Sequence, residues 1–149
     1  MIAQRSARLH ERGSTLAEFA VVLTASMVLI VGIIDFGRAL YTYQFVSNAA
    51  RIATRYASVR GATCSASGCP ATASSIQTYV RSLAPELNQA QISVVPTWNT
   101  TPSCAGPPSN GPGCTVSVQV TYPFTFAAVH LLPSFTMSMS STSKMIISL

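Results

Sequence analysis

Residues 14–34 hold a single ionisable group, Glu18. As a helix these 21 residues rise about 31 Å, which matches the ~30 Å hydrocarbon core of a bilayer. The strictly uncharged part, residues 19–34, covers only about 24 Å and is short alone, which puts Glu18 near one membrane face. Gly32 is tolerated there because lipid offers no water to compete for the helix's hydrogen bonds. Arg5, Arg8 and Arg12 precede the run and only Arg38 follows it closely. That asymmetry predicts a cytoplasmic N-terminus and an exported remainder. A cleaved secretory signal would end in a small-x-small site, whereas this run ends in Val31-Gly32-Ile33-Ile34-Asp35-Phe36. The segment is therefore expected to stay as an anchor.

No proline and one glycine, Gly37, occur between residues 35 and 58. Phe36, Leu40, Tyr43, Ala50, Ala53 and Ala57 recur at three- and four-residue steps and form the expected apolar face. Arg38, Thr42, Asn48, Arg51 and Arg55 take the other side. Anchor and extension together predict a rod of about 68 Å, ended by Gly61. Asp35 and Arg38 are expected to form a solvated pair at the outer membrane boundary. Arg51 and Arg55 read as a solvated basic face.

Beyond the anchor the chain is poor in charge. Only 9% of all residues are charged, against about 25% in an ordinary soluble domain. The net charge of +5 is not gathered into a patch: Arg5, Arg8 and Arg12 lie in the first 13 residues and the other basic residues are scattered. No basic groove with interleaved aromatics appears, so no nucleic-acid partner is expected. Four cysteines, Cys64, Cys69, Cys104 and Cys114, all follow the anchor. An even number in an exported region reads as two disulfides. Three connectivities are open; the sequential one would tie off two local loops. Their spacing, with no histidine nearby, does not suit zinc, and no metal is expected.

Residues 73–83 predict a short helix burying Ile76, Val80 and Leu83, stopped before Pro85. The period then changes to two. Residues 91–95 are one candidate strand. Residues 115–126 are a stronger one, with Val116, Val118, Val120 and Tyr122 alternating against Thr115, Ser117, Gln119 and Thr121. Pro123 limits pairing at that strand's far end. A last strand is expected over 135–147, with Phe135, Met137 and Met139 on one face. Residues 100–113, rich in Pro, Gly and Ser, read as a loop.

Catalysis has little to work with. Beyond the anchor the acids are Asp35 and Glu86 and the histidine is His130. No paired carboxylates, nucleophile elbow or phosphate-binding glycine loop is present in the sequence. His130 reads as a strand-end or loop residue, and Trp98 as a packing residue. Asn99-Thr100-Thr101 matches a glycosylation sequon, which matters only where the machinery exists.

The informative junction is Arg12-Gly13-Ser14-Thr15-Leu16-Ala17-Glu18-Phe19. A basic leader ends in glycine, an apolar helix begins at once, and one carboxylate sits five residues after the glycine. This resembles the processing site of type IV prepilins, cut after the glycine by a membrane peptidase. The resemblance implies a mature chain starting at Ser14, with Glu18 as its fifth residue. A carboxylate at mid-membrane costs about 2.5–3.5 kcal/mol and less near the interface. The new α-amine of a neighbouring subunit could neutralise it, so that the pair rewards correct axial register. The plainer reading of Thr15-x-x-Glu18 is a capping box at a helix start.

Further runs carry a second resemblance: Arg12 to Ala20, Gly32-Ile-Ile-Asp-Phe-Gly-Arg38, Asn48-Ala-Ala-Arg51, Arg55-Tyr-Ala57 and, more loosely, Val120-Thr-Tyr-Pro-Phe124. Together they are similar to the TadE-like family of tight-adherence (Flp) pilus proteins. The resemblance implies a minor pilin or pseudopilin. Its partners would be the membrane, a prepilin peptidase, other pilin-like subunits and pilus secretion machinery. The main Flp pilins usually have Tyr after the glutamate and a very short mature chain; Phe19 and the long C-terminal part fit the accessory class.

The expected fold is thus α+β: a long N-terminal transmembrane and amphipathic helix followed by a small antiparallel sheet. Its segments are a basic cytoplasmic leader (1–13), a transmembrane helix (14–34), an amphipathic extension (35–60) and a small exported α+β domain (61–149). The expected function is structural and non-enzymatic, with no cofactor and no small-molecule substrate. The expected location is a bacterial inner membrane, with the pilus as a further destination. The site residues are Gly13 and Ser14 for cleavage and Glu18 and Phe19 for register or recognition. An unprocessed membrane-anchored periplasmic scaffold is the first alternative, and an exported enzyme the second.

Overall fold

The computed structural model describes residues 3–99, 104, 110–127 and 136–148, with 3–13 described by backbone alone. Its elements run α1 (Ala3–Ser58), α2 (Ala73–Ser82), β1 (Ser93–Trp98), β2 (Thr115–Thr125) and β3 (Thr136–Ile146). The α+β expectation holds: a long helix carries a three-stranded antiparallel sheet in the order β1-β2-β3.

Helix α1 is 56 residues, or about 84 Å long. It starts earlier than the sequence motif implied, because nothing in the leader breaks a helix. Residues 14–34 are exposed along their whole length apart from half-buried Val31. From Asp35 onward one face is covered by the sheet. That face is Asp35, Thr42, Val46, Ala49, Ala50, Ala53, Thr54, Ala57 and Ser58, with Ala39 packed at its side. The expected apolar face is therefore only half right. Ala50, Ala53 and Ala57 are buried, but Phe36 (65% exposed), Leu40 and Tyr43 point outward and Thr42 points in. Small residues win because they let a helix approach a sheet closely. Thr42 and Thr54 hide their hydroxyls by donating to the carbonyls of Arg38 (2.9 Å) and Ala50 (2.7 Å).

Strand β2 is central and supplies the core: Val116, Val118, Val120, Tyr122 and Phe124 are buried beneath α1, and its alternate residues face outward. Strand β1 begins and ends later than residues 91–95, because a 3-10 turn, Gln89–Gln91, capped by Asn88, precedes it. It includes Pro96. On β2, the Thr115 carbonyl accepts from Asn99 on the β1 side, and the Cys114 carbonyl accepts from Ile147 on the β3 side. Odd-numbered β2 residues therefore point their backbone groups toward β1. Pro123 lies past the last β1 pair, Ser93 with Thr121, so its missing N–H breaks no ladder bond while β3 still runs alongside. By the same parity Pro96 faces away from β2 and blunts the β1 edge, whereas β3 has no proline.

In β3 Met139 is buried but Met137, near the strand's start on the same face, is 43% exposed, contrary to the expected alternation. Strand β3 runs in the same direction as α1. Its start pairs with Phe124, beneath Arg38, and further on Thr54 donates to the Ser143 carbonyl and Ser148 to that of Ser58. Helix α2 is opened by Thr72 and Ser75, whose side chains each bond the other's backbone N–H. It buries Ile76 and Val80. Leu83, expected inside, is 38% exposed because it lies past the last turn, at the C-cap. Gly61 is buried but not at positive φ; past Ser58 the Val59 N–H still donates to the Arg55 carbonyl one turn back, and the Arg60 N–H makes a tighter bond to that of Ala57. Disulfides join Cys64 to Cys69 and Cys104 to Cys114, the sequential connectivity. His130, Phe135 and most of the 100–113 loop, Thr100 and Thr101 among it, lie outside the described residues.

Candidate functional site

The backbone of α1 passes through Gly13 and Ser14 without a break. Ser14, Glu18 and Phe19 are all exposed, Phe19 at 65%. In the intact chain Thr15 and Glu18 lie well inside the helix, where the backbone N–H groups already have partners one turn back. The capping-box reading is thus not realised here. Cleavage after Gly13 would create the helix end that such a box serves.

These residues are not brought near the folded domain. Glu18 is about 25 Å along the helix axis from Asp35, where the sheet first touches α1. What the geometry offers is an exposed apolar rod carrying one carboxylate near its start, a surface addressed to lipid or to another helix rather than to a small molecule. Among the described residues there is no group of His, Cys, Asp or Glu suited to a metal. Ser14–Ser58 is long and apolar enough to cross a membrane.

The second notable position was misjudged from sequence. Asp35 is 3% exposed, not a solvated boundary residue. Its Oδ1 accepts from Arg38 Nη1 at 3.0 Å and from the Ala127 backbone N–H at 2.9 Å. Arg38 in turn lies over the Phe124 ring at 5.6 Å, beyond which Phe126 stands edge-on. The carboxylate fastens the membrane-proximal turn of the helix to the chain leaving β2. A lone acid straight after an apolar run was the available signal, since burying it is costly unless donors are supplied. Arg51 and Arg55 are exposed, as expected, while Arg60 stacks on Tyr56 at 3.9 Å, whose ring lies on that of Tyr79.

The segment that joins the exposed rod to this clasp is also the one that resembles known proteins. Residues 13–55 match the model of the TadE-like protein family. The TadE-like segment opens at Gly13, takes in Glu18, Asp35 and Arg38, and stops within the domain-bearing part of α1. No curated protein and no solved structure matches the chain.

Proposed function

We propose that this protein is a structural, pilin-like component, a pseudopilin or minor pilin, of a tight-adherence type IV pilus assembly system. It is made with its N-terminus in the cytoplasm, cut after Gly13, and held in the inner membrane by residues 14–34 with its sheet domain outside. The reading rests chiefly on one observation: a TadE-like match that opens at Gly13 coincides with a helix that is bare over the membrane span and covered by a domain beyond it. A bare apolar rod needs lipid or other helices around it, and other pilin-like subunits would supply the latter. Glu18, exposed on that rod, would set register by pairing with the α-amine of a neighbour. No catalytic role is assigned to any residue.

The helix continuity across Gly13 and Ser14 favours a second reading, a permanently anchored, unprocessed scaffold. Intact mass and N-terminal sequencing of the protein from membranes, with and without the prepilin peptidase, separates the two. A peptidase-dependent chain starting at Ser14 is expected. A chain that keeps its leader in both cells would leave the scaffold.

A further inference from the structure

A groove of about 460 Å³ lies between α1 and the membrane-proximal end of the sheet, lined among others by Ile34, Arg38, Tyr41, Glu86, Tyr122 and Phe124. Its position along α1 matters first. Ile34 closes the uncharged run and Tyr41 is about 10 Å further along the axis, so the groove sits where a lipid headgroup lies beside a spanning helix. Its charges matter second. Arg38 spends Nη1 on buried Asp35 and is steadied over Phe124, while its other nitrogens bond no described residue. Glu86, in the turn after α2, is exposed and has no ion-pair partner among the described residues. One groove thus presents a positioned guanidinium and a free carboxylate that are not paired with each other.

We propose that this groove binds the headgroup of a zwitterionic phospholipid bearing a primary ammonium, that is, a phosphatidylethanolamine. Its phosphate takes the free donors of Arg38, whose planar fork suits phosphate oxygens. Its ammonium donates to Glu86. A choline headgroup lacks N–H groups to donate, and a glycerol headgroup leaves Glu86 facing a net negative lipid. The acyl chains run down the exposed side of the span past Ile34 and Ile33. The inference rests on residues 14–34 crossing a bilayer; it is independent of cleavage and of pilus assembly.

The test is native mass spectrometry of the full-length chain released from detergent micelles holding equal amounts of phosphatidylethanolamine, phosphatidylcholine and phosphatidylglycerol. Expected is retention of the ethanolamine lipid at least fivefold above either competitor. Glu86→Gln, a change at an exposed site, should bring ethanolamine-lipid retention down to the choline level with an unchanged circular dichroism spectrum. Equal retention of the three lipids, a preference for phosphatidylglycerol or phosphatidylcholine, no retained lipid, or an ethanolamine preference that survives Glu86→Gln would each overturn the proposal.

Discussion

In residues 14–34 of α1 the bulky aliphatic side chains point outward and stay uncovered. In residues 35–58 of the same helix the small side chains point inward and are packed under a sheet. Both halves are continuous α-helix, so backbone preference does not distinguish them; their surroundings do. A bilayer accepts any large apolar side chain and asks for no specific fit. A sheet at close range demands small residues and a partner for every buried polar atom. One rod therefore obeys two packing rules, and the change falls at Asp35.

The sharpest way to break this contrast is to place the same bulk in both halves. Ala53→Phe, at a fully buried position, should lower the stability of the sheet-bearing domain by about 3 kcal/mol, the upper end for overpacking. Leu29→Phe, in the exposed half, should leave it unchanged; chemical denaturation in detergent reads both. Next comes the boundary. Asp35→Ala strands the Ala127 N–H and frees Arg38 from its clasp, at a cost of about 2 kcal/mol. Amide exchange at Ala127 should quicken while exchange at Val118, deep in the core, does not. A uniform change across the sheet would mean the clasp is not local. The smallest effect concerns the outward residues of the second half. Phe36→Ser should move domain stability by no more than about 0.5 kcal/mol. A larger loss would show that the aromatic side chain belongs to the core after all.

The sequence exposed the anchor and β2 plainly, for a physical reason. An uncharged helix-length run has few uses outside lipid, and strict alternation over Thr115–Thr125 fits only a strand with one covered face. The face of the second half of α1 was harder to read. Two stripes compete there at helical spacing: Phe36, Leu40 and Tyr43 on one, and Ala39, Thr42, Val46, Ala49 and Ala53 on the other. Hydrophobicity favours the first. The closeness of approach, a tertiary fact, selects the second and leaves the aromatic stripe near the interfacial zone, where such side chains are commonly found. The role of Asp35 was hidden for a related reason. Its main-chain donor, Ala127, is 92 residues away, and no local pattern reports a contact of that range. The junction at Gly13 and Glu18 is legible only as a motif, because Glu18 lies about 25 Å along the helix from the first turn that the sheet covers.

The alignment of β3 with α1 has a consequence for how copies of this protein can meet. An unblocked strand edge recruits like edges most readily in antiparallel fashion, with one copy turned through half a revolution about an axis perpendicular to the sheet. Here β3 points the same way as the anchor, so that half-turn would aim one anchor away from the bilayer that holds the other. Shared membrane polarity thus acts as a geometric filter. It forbids the antiparallel edge dimer to any two copies inserted in one membrane, whatever the one charged residue of that edge strand, Lys144, adds.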